Sequence, residues 1–201
     1  MATPVGHYLL GFSVASLLAR DDQTTRGGLW LAILACAPDF DVVPGILVGD
    51  LARFHHGVSH SLAAAALVSA GVLAGFRFFG RETSWRLFLT CFLLYASHIV
   101  LDFFTLDPGD RSGVPLLWPL SETYQSPWAL LPNVQHSRGP IFSTHNFLLM
   151  VRELVVFAPL VALVQLAKST ARPWSRAAAW VYGCWFFLAV CLSAYSVAQS
   201  N

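Results

Sequence analysis

Between Trp85 and Phe104 the chain runs with hardly a polar break for the length of a bilayer crossing, yet this stretch carries a histidine and a carboxylate, His98 and Asp102. Ionisable side chains are costly in hydrocarbon and mark functional positions, so such a run calls for a membrane helix whose polar pair faces a protein interior. Composition extends the constraint to the whole chain. Of 201 residues, 56% are hydrophobic and 11% charged, and mean hydropathy is +0.59; soluble domains average about 25% charged. A hydrocarbon core about 30 Å thick takes about 20 residues per helix. The expected fold class is all-α, a polytopic membrane helical bundle of about four to six membrane helices forming a single domain over 1–201, with its ligand-bearing part in 1–153.

Apolar runs fall at 6–19, 28–48, 59–79, 85–104, 146–167 and 177–198, the last a C-terminal membrane helix without a functional signal. The first is short, and the second is interrupted by Pro38, Asp39, Asp41 and Pro44, so a partial or broken helix is expected in each. Residues 105–145 hold six of the eleven prolines together with Trp118 and Trp128, which reads as an ordered surface or re-entrant loop with interfacial aromatic anchors. Met1–Gly11 has no Lys or Arg ahead of its apolar run, which predicts a retained first helix rather than a cleaved signal peptide.

Lys and Arg set the orientation, because positively charged short loops stay cytoplasmic. Eight of the twelve basic residues lie in 20–27, 77–86 and 168–176, so both termini are expected to face outward. That topology puts all seven histidines and the intramembrane aspartates toward one, outward face. Net charge +1 and the absence of a basic tract argue against a nucleic-acid partner, and Cys36, Cys91, Cys184 and Cys191, all in apolar segments without CxxC spacing, read as packing residues.

Residues four apart share a helix face, so His98 and Asp102 offer a nitrogen and an oxygen to one point, as a zinc site requires. A hydrogen-bonded pair locking helix packing is the plainer alternative. Asp39 and Asp41 sit where a helix is breaking, so both can turn to a shared ion; elsewhere such a pair would be a solvated turn or cap. His55, His56 and His60 form the densest cluster, with Gly57 permitting a tight turn and Ser59 or Ser61 placed to cap the third helix. His7 at the start of the first run is a further ligand candidate, and Glu153 is open between ligand, ligand support and an ion pair with Arg152.

These residues, in this order, resemble the YdjM family of inner-membrane metal-dependent hydrolases, sometimes described as LexA-regulated. The resemblance covers roughly 7–121: His7, Pro38 to Asp41, His55 to Ser61, His98 with Leu101, Asp102 and Thr105, and Gly113 to Ser121. His56 stands where that family usually shows Arg, and Ser59 where it shows Thr. The family is distantly similar to the zinc-dependent phospholipase C and nuclease group. The resemblance implies His7, Asp39, His60, His98 and Asp102 as metal ligands with Asp41 and His55 beside them. It implies one or two divalent ions, zinc first among them, that activate water against a phosphoester or lipid-linked ester, phospholipid included. The late His-x3-Glu pair of that group is missing, since Leu149 follows His145 at that spacing. The site is expected in the inner membrane, facing the periplasm.

Two rivals remain in view. A non-catalytic membrane protein that binds or translocates a metal ion or proton predicts polar groups continuing toward the cytoplasmic half of the helices, which are apolar in the third, fourth and sixth runs. A purely structural polar cluster predicts no bound metal. A vanadium-haloperoxidase-type phosphatase is excluded, because Ser137-Arg138 stands at the wrong spacing from His145 and no Pro-Ser-Gly-His tract exists. A serine membrane protease lacks its Gly-x-Ser-x context.

Overall fold

Backbone N–H and C=O groups find no water in hydrocarbon, so a chain this apolar must satisfy them within itself. The computed structural model describes residues 1–18, 31–50, 53–106, 113–121, 123–124, 126, 128–134, 143–168 and 175–199. Among these, six α-helices and two 3-10 segments form the regular structure, without a strand. Two isolated bridges, Thr105 with Leu131 and Val114 with Tyr124, are the only strand-like pairings there.

Helix α1 (Pro4–Leu18) starts on a proline, whose missing N–H costs nothing in a first turn. The second apolar run is not a regular helix. Its described part is a 3-10 segment, Ile33–Asp41, with Pro38 inside it, followed by a short α2 (Val42–Val48) that stops at Gly49 in the left-handed region, φ 74°. A proline deprives the ordinary helix of one hydrogen bond and clashes with the preceding turn, which accounts for the irregular winding. A second 3-10 turn, Val58–His60, leads to α3 (Leu62–Phe78), which Ser61 caps by accepting from the Ala64 N–H at 3.1 Å. Helix α4 (Trp85–Phe103) is capped likewise by Ser84, then come α5 (Thr144–Lys168) and α6 (Ser175–Ala198).

Among the described residues three helices are long and apolar enough to cross a membrane, α4, α5 and α6, while α1 and α3 are shorter apolar helices. Together they make five apolar helices among the described residues, and the cap at Ser61 starts the helix of the third run only at Leu62. Helix α1 packs on α5, on α4 and on the 3-10 segment; α3 packs on α4, and α6 on α5. One apolar cluster, Leu101, Leu131, Val156 and Phe157 with Ala2, joins α4 to α5, and a second, Ala65, Tyr95, Ile99 and Val114, joins α3 to α4. The described part of 105–145 folds back on the helix ends, where the Leu62 N–H meets the Leu116 carbonyl at 3.0 Å and the Leu130 N–H meets that of Phe104 at 2.7 Å. Trp118 and Trp128 on it are exposed. Helix α6 exposes Trp180, Val181, Phe187, Leu188 and Leu192, an apolar face of the kind lipid covers.

Candidate metal centre

His98 and Asp102 lie one turn apart on α4, both buried, with His98 Nε2 at 2.9 Å from Asp102 Oδ2. The other ring nitrogen of His98, Nδ1, donates to the Ala35 carbonyl at 2.7 Å. Sequence dictates why that carbonyl is available. In 3-10 winding it would pair with the N–H of the residue three on, which is Pro38 and has none. Because a carbonyl only accepts, Nδ1 carries the proton, which leaves Nε2 as the atom that His98 presents toward Asp102.

His60 lies among three carboxylates, Asp41 on its Nδ1 side and Asp39 and Asp102 on its Nε2 side. Its Nδ1 faces Asp41 Oδ2 at 3.2 Å and Ser59 Oγ at 3.1 Å, and the Ser59 hydroxyl donates to the same Asp41 oxygen at 2.7 Å. Asp41 Oδ1 takes the Nδ1 of His55 at 2.9 Å. One carboxylate therefore stands behind two imidazoles, keeping their protons on Nδ1 and offering Nε2 forward, as second carboxylates do behind metal-bound histidines. The turn is braced by Tyr95, whose hydroxyl donates to the Ser59 carbonyl at 2.8 Å.

The forward-facing atoms have the spacing of a coordination shell. Ligands about 2.0–2.1 Å from one tetrahedral ion lie about 3.3 Å apart. His60 Nε2, His98 Nε2, Asp39 Oδ1 and Asp102 Oδ2 are separated by 3.1, 3.4, 3.7, 3.4 and 2.9 Å over five of their six pairs. Both Asp39 oxygens and Asp102 Oδ2 are buried and accept no well-formed hydrogen bond. Buried carboxylate oxygens in that condition are expensive, and a cation is the group that would satisfy them. The residues present thus fit a divalent ion with nitrogen and oxygen ligands.

His7 joins from α1. Its ring stacks on His98 with centroids 3.6 Å apart, and its Nε2 lies 3.4 Å from Asp102 Oδ1, the oxygen that also accepts the Ala2 N–H at 2.9 Å. His7, Asp39, His98 and Asp102 each offer a ligand atom within 4.8 Å of the others, and His55, His56 and His60 form a second such group. The structure therefore brings together His7, Asp39, Asp41, His55, His60, His98 and Asp102. It adds His56, whose Nε2 lies 3.9 Å from Asp102 Oδ2. The crowding of three histidines into six residues was its signal in the sequence.

Other candidates fall elsewhere. His145 Nε2 is 3.2 Å from the Asn133 carbonyl, away from the cluster, and His136 lies outside the described residues. Glu153 is no member either: it accepts from the Thr3 N–H at 2.6 Å, the Gly6 N–H at 2.9 Å and the Thr3 hydroxyl, clamping the start of α1. Its expected partner Arg152 points the other way, donating to Ser193 Oγ at 3.0 Å and the Ser193 carbonyl at 2.7 Å on α6. The left-handed residue of the histidine turn is His56, φ 58°, rather than Gly57. Gly57 serves close approach instead, since a Cβ there would sit 2.9 Å from the Phe54 carbonyl oxygen. Ser61 caps α3, and Ser59 serves Asp41. Among the four cysteines none is paired.

The sequence model of the family described as YdjM inner membrane protein matches residues 1–200. The chain belongs to this family. No curated protein and no solved structure matches it. The YdjM match takes in the His and Asp cluster and the three membrane-length helices among the described residues, and with their apolar surfaces it identifies a membrane protein of an inner-membrane family.

Proposed function

We propose that this YdjM protein is a membrane-bound metal-dependent hydrolase that cleaves a phosphoester or lipid-linked ester at the outward, periplasmic side of the inner membrane. The observation that carries the reading is the shell of His60, His98, Asp39 and Asp102, with separations of 2.9 to 3.7 Å between two nitrogens and two oxygens. A zinc-like ion bound there would supply hydroxide from water near neutral pH and stabilise charge on the ester oxygen.

The chain's own residues divide the remaining work. His98 and His60 hold their Nε2 atoms forward because Ala35 and Asp41 hold the Nδ1 protons. Both oxygens of Asp41 are engaged by His55, Ser59 and His60, so its part is orientation rather than proton transfer. Asp39 has an oxygen beyond the one near His60 and His98, buried and without a hydrogen bond, and this Oδ2 takes the proton of the attacking water. Side chains beyond the cluster argue against ion transport, for α3 contains no histidine or acid and α4 has none from Trp85 to Leu94. The outward face follows from the basic residues of 20–27, 77–86 and 168–176.

The test is hydrolysis of p-nitrophenyl phosphomonoester, phosphodiester and carboxylic ester, and of phospholipid, by the full chain in detergent and in liposomes. Activity is expected that a chelator abolishes, added metal restores, and Asp102→Ala lacks. Metal-loaded wild type no faster than Asp102→Ala on every substrate would refute hydrolysis.

A further inference from the structure

Helices α1 and α6 both pack on α5, and at the end of the bundle away from the histidine cluster they leave a gap. A cavity of about 530 Å³ opens there, lined by Leu17 of α1, Leu163, Val164 and Leu166 of α5, and Arg176 and Ala179 of α6. Leu17 stands ten residues beyond His7, about 15 Å along α1, so the cavity is remote from the metal centre. Sequence makes the space. Helix α6 opens on Ala177, Ala178 and Ala179, whose methyl side chains leave the gap unfilled, whereas its later turns carry Trp, Phe and Leu.

The described lining is apolar except for Arg176, which is exposed. A cation in the first turn of a helix adds to the positive end of the helix dipole instead of offsetting it, so this guanidinium does not stabilise α6. The neighbouring cation has a structural part: Lys168 Nζ donates to the Ser16 carbonyl at 2.6 Å and Gln165 Nε2 to Ser16 Oγ at 3.1 Å, tying the end of α1 to α5. Charge at this end of the bundle is one-sided, since 20–27, 77–86 and 168–176 hold eight basic residues against three acids, Asp21, Asp22 and Glu82.

We propose that this cavity holds one anionic phospholipid, with an acyl chain along Leu17, Leu163 and Val164 and the headgroup phosphate on the Arg176 guanidinium. An apolar cavity stays dry and takes apolar ligands, and in a bilayer the apolar ligand at hand is an acyl chain. A guanidinium matches the oxygens of a phosphate with a two-pronged set of donors. Basic pockets between membrane helices at the end that the positive charge marks as cytoplasmic select anionic headgroups, and the charge balance here is of that sign. The lipid bridges α1 and α6 over α5. It is a resident ligand and not the substrate of the metal centre, from which the length of α1 separates it.

The experiment is native mass spectrometry of the detergent-purified full chain titrated with phosphatidylglycerol or with phosphatidylcholine. Wild type is compared with Arg176→Gln, with Ala179→Phe, which fills the cavity, and with Arg86→Gln, which removes an exposed basic residue of the same end at the start of α4. One phosphatidylglycerol held in preference to phosphatidylcholine is expected in wild type and in Arg86→Gln. Arg176→Gln should bind it about fivefold more weakly, and Ala179→Phe should lose it. Equal binding of the two lipids by wild type overturns the site, as does a preference that Arg176→Gln keeps. The same loss in Arg86→Gln as in Arg176→Gln overturns it in favour of the net charge of this end, and a folded Ala179→Phe that binds like wild type overturns the part of the cavity. Arg176 is exposed, so Arg176→Gln folds and decides the matter by itself where Ala179→Phe does not.

Discussion

Three imidazoles in the cluster take their direction from oxygens behind them: the Ala35 carbonyl behind His98, and Asp41 behind His60 and His55. Removing such support costs typically about 10–100-fold in metal affinity. Asp41→Asn replaces an acceptor oxygen with an amide donor, and zinc affinity measured by competition with a chromophoric chelator should fall by about that factor. Helical content should stay unchanged, and unaltered affinity would remove Asp41 from the centre. The pair His98 and Asp102 was legible in the sequence because four-residue spacing places both on one helix face. The orienting part of Asp41 was not, since it depends on contacts to His55 and Ser59, which only the fold brings to it.

At the scale of elements, the centre depends on how α1 is seated, because His7 directly follows the clamp that Glu153 makes on Thr3 and Gly6. A Cβ on Gly6 would lie 2.8 Å from Glu153 Oε2, so glycine at this position is what lets α5 approach. Gly6→Ala should destabilise the protein by about 1–3 kcal/mol through overpacking. Glu153→Ala should do so by at least about 1–3 kcal/mol, because it leaves buried donors unpaired. Combined, the two changes should cost less than their sum, since truncating Glu153 removes the atoms that the added methyl group at position 6 would strike. Unfolding in detergent followed by circular dichroism checks this, and strictly additive losses would contradict the clamp. A carboxylate at 153 was conspicuous in an apolar run, but its register against residues 3 and 6 is set by packing between distant helices and left no trace in local pattern.

For the whole molecule, an ion held by the 3-10 segment, the histidine turn and α4 would tie together elements far apart in sequence, and binding to the folded state alone would stabilise it. With free metal at about 100 times Kd the gain is about 2.7 kcal/mol, so chelation should lower the unfolding temperature. Protons compete with the ion for the imidazole Nε2 atoms, so metal affinity, and this stabilisation with it, should fall as pH is lowered through the histidine range. A melting temperature indifferent to chelator at neutral pH would oppose that. The helical, membrane-embedded class was legible from composition and run length. Helix lengths were less so, because hydropathy does not register the irregular winding around Pro38 or the cap at Ser61, and these shorten the first half of the bundle while shaping the site. The central claim, that the buried His and Asp cluster is a metal centre, is tested most directly by elemental mass spectrometry of the purified full chain beside His98→Ala and Asp102→Ala. Stoichiometric transition metal in wild type, lost in both folded variants, is the predicted result; folded wild type that stays metal-free after supplementation with zinc or manganese would contradict it.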